Sequence, residues 1–438
     1  MNISVIGTGY VGLITAITFA KKGHKVICVD ISAERVDAIN HAKPPFFEPG
    51  LDEYLRDLVG AHSLWATSNT EEAVNNSDMT FICVGTPHLP DGSQDLTYVT
   101  KCAKDIGAAL KTKDGYHLVV VKSTVEPGTT KLTVLPLLCE AAGKEEGKEF
   151  SCAHNPEFLR EGTALADSFN PDRIIMGVLD DSSRELLLDL YSNFECPKLV
   201  VDTNTSEMIK YASNAFLATK ISFANEMANI CQKLGVDVAE MFKGVTMDHR
   251  INPHFFNAGC GFGGSCFPKD ISALIHVAKN QGVQTPLMNS VMSVNDVQPL
   301  KCLELAKTSG ELSGKSVAVL GLAFKPGTDD VRETRALPLI QALLKEGAKV
   351  TGYDPQAIEN FKKLLPEASV EYTDDAYVAI TGKDIAFVQC DWNEIRLLEP
   401  KKIKELMKTP VVIDGRRTFD PKIMEGHGIT YKAIGLGK

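Results

Sequence analysis

The chain has 438 residues, more than one hydrophobic core usually supports, so two or three domains of ordinary size are expected. Hydrophobic residues at 44%, charged residues at 23% and a mean hydropathy of −0.05 fit a globular protein and exclude a disordered one. The formal net charge of −10 argues against a nucleic-acid partner and for a small molecule, with room left for a local basic pocket that takes phosphate.

Eleven cysteines are scattered through apolar segments without a Cys-x-x-Cys pair. That pattern fits a reducing compartment, and with it a cytoplasmic location, better than a disulfide framework or a metal cluster. The apolar opening from Ile3 to Ala20 lacks a basic leader, and no uninterrupted apolar run is long enough to cross a bilayer, so no membrane association is expected.

In chain order, β-branched runs at Ile3 to Ile6, Lys25 to Val29, Met79 to Val84 and Leu118 to Val121 alternate with helical stretches, the βαβ pattern of a parallel sheet. Residues 204–234 then read as one long helix, with Asn204 and Glu207 spaced as a capping pair and Gly235 as the stop. After Gly314 the alternation resumes at Ser316 to Leu320, Lys349 to Tyr353, Asp384 to Val388 and Val411 to Asp414, a second and smaller α/β domain. The fold class is therefore α/β: two doubly wound, Rossmann-like domains joined by a long helix.

Gly7-Thr8-Gly9-Tyr10-Val11-Gly12 follows the first strand and opens a helix, the context a dinucleotide fingerprint requires. Gly7 serves the tight turn, Gly9 the approach of the pyrophosphate, and Gly12 the close packing of helix on strand. Asp30 ends the second strand, where a carboxylate accepts from a ribose hydroxyl and repels a 2′-phosphate, which favours NAD over NADP. Thr86 sits after another strand of the same sheet, at the edge where cofactors bind; a simple turn accounts for it equally well.

The segment Gly261 to Asp270 carries the chemistry. Pro268 suits the first helical position, so Cys266 lies just before a helix N-terminus, where the dipole and free N–H groups favour a thiolate. The glycines before it are read as leaving its approach open. Asp270 and Lys269 follow in the first turn, where ordinary helix-starting and surface roles compete with catalytic ones. Pro156 is expected to start a helix that places Glu157 and Glu161 on one face, a paired-carboxylate arrangement suited to acid/base work, while first-turn glutamates serve equally well as ordinary helix starters. Lys210 and Asn214 share a face of the long helix in an apolar pattern and need partners, which makes them candidates for holding an oxyanion.

These motifs resemble, in order, those of the UDP-glucose/GDP-mannose dehydrogenase family: the N-terminal fingerprint, Lys122 to Thr129, Asn155 to Gly162, Lys210 with Asn214, Gly261 to Asp270, and Gly321 to Glu333. The resemblance implies an NAD-binding Rossmann domain at 1–200, a central helical dimerisation domain at 201–300 and a UDP-sugar-binding Rossmann-like domain at 310–438. It implies a four-electron, NAD-dependent oxidation of UDP-glucose to UDP-glucuronate through a thiohemiacetal and thioester on Cys266, with no metal. Lys210, Asn214, Asp270 and Thr124 would position water and stabilise oxyanions, and Glu157 would be the general base. Phe158, Leu159, Arg160 and Glu161 would lie along the substrate, with Glu161 also at the cofactor. Phe255, Phe256, Asn257, Ala258, Gly259, Gly263 and Lys325 would contact the sugar-nucleotide, and Arg250 the neighbouring subunit's. Arg35, Lys269 and Arg332 match positions near NAD. Relatives with similar motifs oxidise GDP-mannose or N-acetylated UDP-sugars; a one-step hydroxy-acid dehydrogenase needs no nucleophilic cysteine, and a non-catalytic sugar sensor does not need Cys266, Lys210 and Asp270 intact.

Overall fold

The computed structural model describes residues 1–366 and 369–437. It divides into one unit of Met1–Ser213 with Ser272–Gln281 and another of Asn214–Ile271 with Gly282–Lys438.

The first unit is built on eight strands: β1 (Asn2–Ile6), β2 (Lys25–Val29), β3 (Leu64–Thr67), β4 (Met79–Ile82), β5 (His117–Val121), β6 (Phe150–His154), β7 (Ile174–Val178) and β8 (Lys198–Asp202). Their spatial order is 3-2-1-4-5-6-7-8, and every neighbouring pair is parallel except β6 with β7. Apolar clusters cover both faces of this sheet, which is why the inner strands read as unbroken Val, Ile and Leu runs instead of alternating. The order reverses between β1 and β4, and a doubly wound sheet opens its binding crevice at the carboxyl ends of such a pair. Gly7 follows β1 there, and Cys83 and Val84 follow β4.

The second unit repeats the plan with β9 (Ser316–Leu320), β10 (Lys349–Tyr353), β11 (Val370–Thr373), β12 (Ile385–Val388), β13 (Val411–Asp414) and β14 (Thr430–Ala433), all parallel, in the order 11-10-9-12-13-14. Asp354 occupies the place after β10 that Asp30 holds after β2. Its Oδ2 accepts from the amides of Leu322 and Ala323 and from Trp392 Nε1, and its Oδ1 from the amides of Gln356 and Ala357. That carboxylate is taken up by donors of its own domain.

The eight strands expected from the sequence are present, with ends shifted by two residues at most. Of the six others, β3, β8, β11 and β14 are the edges of the two sheets, short and partly solvated, where the apolar signal is weakest. Between the sheets in sequence runs the helix Thr203–Leu234, ended by Gly235 at φ +73°. Its cap differs from expectation: Asp202, not Asn204, accepts from Thr205 N and Oγ1 at 3.0 and 2.5 Å, and Glu207 points its carboxylate elsewhere. A second correction concerns residues 156–161, which form no helix. Glu157 folds back to accept from the Leu159 amide at 2.6 Å, and Arg160 is bound through its amide and guanidinium to Asp167. The helix begins only at Ala164, whose amide is taken by Glu48. Among the described residues no helix is long and apolar enough to cross a membrane.

Candidate active site

In the first unit the fingerprint glycines are demanded by space. Gly7 holds φ +94°, and a Cβ there would lie 2.9 Å from the Cys83 carbonyl oxygen; a Cβ on Gly12 would lie 1.8 Å from the carbonyl oxygen of Gly7. A Cβ on Gly9 would enter open space, so that backbone is approachable from outside, as a bound pyrophosphate requires. Asp30 Oδ2 accepts from Thr8 N and Oγ1 at 2.9 and 2.6 Å, and Oδ1 from Ser32 N at 2.9 Å. Burial opposes the charge on Asp30, but these bonds and Arg35 at 3.7 Å hold its carboxyl below the usual range. An ionised carboxylate with a lone pair to spare on Oδ1 suits a ribose hydroxyl, so the residues fit NAD. Tyr10 and Val11 open the following helix, with the Tyr10 hydroxyl on Glu48.

Thr124 is partly exposed on the loop after β5, and its carbonyl accepts from Thr86 Oγ1 at 2.8 Å and Gln94 Nε2 at 2.6 Å. Thr86 thus reaches the Thr124 backbone. Glu157 is buried with Lys210, whose Nζ lies 2.8 Å from its Oε1 and 2.7 Å from its carbonyl oxygen. Burial works against the Glu157 charge, yet Lys210, the Leu159 amide and Lys122 together hold the carboxyl below its ordinary value. Lys122 donates to Asn155 Oδ1 at 2.9 Å, and burial pulls its ammonium down to about 8. Phe158 lies under the Arg173 guanidinium, Leu159 and Glu161 are partly buried, and Arg160 is exposed.

In the second unit Cys266 immediately precedes the helix Phe267–Asn280, and its carbonyl accepts the Asp270 amide at 2.9 Å. It alone of the eleven cysteines is exposed. Asp270 does more than complement the helix dipole: it is buried, with Oδ2 taking Asn214 Nδ2 at 2.6 Å and Oδ1 taking Lys269 Nζ at 2.5 Å. The glycines before the exposed cysteine have a packing reason beside the open-approach reading. A Cβ on Gly261, Gly263 or Gly264 would lie 2.6 Å from Asn295 Oδ1, 2.2 Å from the Glu333 carbonyl oxygen and 2.6 Å from the Phe324 ring. Gly263 and Gly264 are required because the 324–333 segment packs against their backbone, and Gly261 because Asn295 does.

Phe255 adopts φ +68°, an uncommon conformation for a non-glycine residue, and Phe256 stacks on Phe242 with Lys220 Nζ 4.4 Å from the centre of its ring. Asn257 is exposed, while Ala258 and Gly259 are buried, with Gly259 N on Asn225 Oδ1. Arg250 is exposed and paired with Asp248; Arg332 is exposed and paired with Asp330; Lys325 is partly buried near the Phe324 ring. Four side chains have supporting roles that the sequence does not signal: Gln94, Lys122 and Glu207 in the first unit, and Arg416 in the second. Arg416 donates to the carbonyls of Gln389, Gly261 and Phe324. All four bind backbone or side chains far away in sequence, and no local spacing signals such contacts.

Models of three domains of one family match the chain: the NAD binding domain at residues 1–195, the central domain at 204–297 and the UDP binding domain at 318–421. The UDP-glucose 6-dehydrogenase of Haloferax volcanii is 44% identical over 99% of this chain and 100% of its own length. Bacillus subtilis UDP-glucose 6-dehydrogenase TuaD is 42% identical over 99% of this chain and 93% of its own. The solved UDP-glucose dehydrogenase of Pyrobaculum islandicum superposes with a TM-score of 0.92 at 42% identity, covering 100% of this chain and 98% of that one. The UDP-D-ManNAc dehydrogenase of Pyrococcus horikoshii gives 0.87 at 30% identity over all of both chains. The chain belongs to the UDP-glucose/GDP-mannose dehydrogenase family, with the NAD-binding domain first and the UDP-binding domain last.

Proposed function

We propose that this protein oxidises the C6 alcohol of UDP-glucose to the carboxylate of UDP-glucuronate, with Cys266 as the covalent nucleophile. The observation that carries it is the single exposed cysteine at a helix N-terminus, four residues before a buried aspartate that binds both Asn214 and Lys269. Identities of 42–44% with UDP-glucose 6-dehydrogenases, against 30% with the UDP-D-ManNAc dehydrogenase, favour glucose as the sugar.

NAD, when bound, would supply the two-electron hydride acceptor for both oxidations at C6. Gly7, Gly9, Tyr10, Val11, Gly12, Asp30, Arg35, Thr86, Thr124, Glu161, Lys269 and Arg332 are the residues that would hold it. The first oxidation yields an aldehyde, which has no hydride to give until a nucleophile adds. The Cys266 thiolate forms a C–S bond to that carbon, and Lys210, Asn214 and Asp270 hold the resulting oxyanion and its proton. The second oxidation leaves a thioester. Water then forms a C–O bond to the carbonyl carbon, Glu157 takes its proton, the C–S bond breaks, and Cys266 leaves as thiolate. An ionised Glu157 is the form a base needs, and its pairing with Lys210 maintains that form.

Residues 1–200, 201–300 and 310–438 are assigned to cofactor binding, dimerisation and UDP-sugar binding. Phe158, Leu159, Arg160, Phe255 to Gly259, Gly263 and Lys325 would line the sugar-nucleotide, and Arg250 would reach that of a second subunit. The dimer reading is supported by Phe216, Phe223 and Ile230, large apolar side chains exposed at heptad spacing on the long helix. NADH formation on UDP-glucose, UDP-N-acetylglucosamine, UDP-N-acetylmannosamine and GDP-mannose tests the whole reading. Two NADH per UDP-glucose are expected; one NADH, or preference for another sugar, would overturn the reaction or the substrate respectively.

A further inference from the structure

Glu207 is a fully buried carboxylate that the chemistry above does not use. Its Oε2 accepts the Gly128 amide at 2.6 Å and its Oε1 the Thr130 amide at 2.8 Å. The other end of the same loop is braced by Gln94, which donates through Nε2 to the Thr124 carbonyl at 2.6 Å and accepts the Glu126 amide on Oε1 at 3.1 Å. Thr86 adds its hydroxyl on the Thr124 carbonyl at 2.8 Å. Glu207 stands one turn before Lys210 on the long helix, so the two share a face. The carboxylate therefore ties the loop that carries Thr124 to the helix that carries Lys210, and Lys210 in turn holds Glu157.

We propose that Glu207 is a positioning residue for thioester hydrolysis: it sets Thr124 in register with the Lys210–Glu157 pair that handles the attacking water. This rests on the function proposed above. The geometry asks for a carboxylate specifically. Two N–H donors converge on two acceptor oxygens, and an amide in its place would turn an NH2 group against one of them, leaving a buried donor unsatisfied. Glu207 bonds the loop at Gly128 and Thr130, past Thr124, and these bonds reach none of the groups assigned to NAD, so its loss should slow the hydrolysis while leaving the two oxidations nearly intact.

The test uses full-length protein with saturating NAD and UDP-glucose, NADH being followed from the first turnover. Glu207→Gln is expected to release about two NADH per active site at the wild-type rate and then turn over at least about tenfold more slowly, with KM for UDP-glucose within about twofold. The stalled enzyme should carry the sugar-nucleotide covalently on Cys266 by intact mass after acid quench. A steady state within about twofold of wild type, or a loss shared equally by burst and steady state, overturns the assignment. Should Glu207→Gln fail to fold, Gln94→Leu, which removes only the amide brace, decides in the same assay: a retained burst with slowed turnover supports the proposal. Unchanged turnover, or loss of fold in both variants, overturns it. Wild-type protein that makes no NADH from UDP-glucose would instead bring down the proposed function itself.

Discussion

Replacing Lys210 with methionine keeps most of the side-chain volume and deletes the charge, which strands Glu157 without its 2.8 Å partner. The two side chains are 4% and 7% exposed, so water takes over little of the lost interaction. Breaking a pair this buried costs about 3–5 kcal/mol. The Leu159 amide and Lys122 still favour the carboxylate, which puts the expectation at the lower end, about 3 kcal/mol. The sign follows from the carboxyl being held below its ordinary value in the native protein. Its contribution to stability is complete above the unfolded pKa of about 4.3 and is lost as pH falls through the folded value. In Lys210→Met burial dominates and raises the carboxyl above the unfolded value, so the deficit should be largest near pH 8 and shrink as pH falls and Glu157 protonates. Urea unfolding of both proteins between about pH 5 and 8 measures this. A difference below about 1 kcal/mol that does not change with pH would refute the buried-pair argument.

Cys266→Ser should lower turnover to less than about a thousandth and end the formation of two NADH per sugar, read by NADH stoichiometry against wild type. Gly263→Ala drives a Cβ to 2.2 Å from the Glu333 carbonyl oxygen and should destabilise by about 1–3 kcal/mol with loss of activity; unchanged thermal unfolding would mean the loop glycine serves access after all. Asp30→Ala leaves the buried Thr8 N–H and hydroxyl without their acceptor and should raise KM for NAD about tenfold while narrowing its advantage over NADP, which initial rates on the two cofactors report. Phe216→Asp should shift the protein toward monomer in sedimentation if the exposed heptad face of the long helix joins two copies, and an unchanged mass would discard that face.

Features of short sequence range were legible before folding. The Gly7-to-Gly12 turn, Asp30 at the end of its strand, the inner strands of both sheets, the stop at Gly235 and Cys266 ahead of its helix each follow from residues within a turn or a strand of one another. Backbone sterics and buried apolar runs act locally, so the chain alone determined them. Tertiary structure decided what depends on partners distant in sequence. The edge strands β3, β8, β11 and β14 form because a neighbouring strand supplies their hydrogen bonds, not because their own residues are strongly apolar. Residues 156–161 give up the helix that Pro156 suggests because Glu157 gains more from Lys210, across 53 positions of chain, than from a first helical turn. Glu207 abandons its capping role because the Gly128 and Thr130 amides, buried by folding, have to find acceptors. The glycines before Cys266 are required by Asn295, Phe324 and Glu333, residues far along the chain that pack on their backbone. A buried polar group or a close backbone approach is satisfied by whatever the fold brings beside it, and that neighbour is written nowhere near it in the sequence.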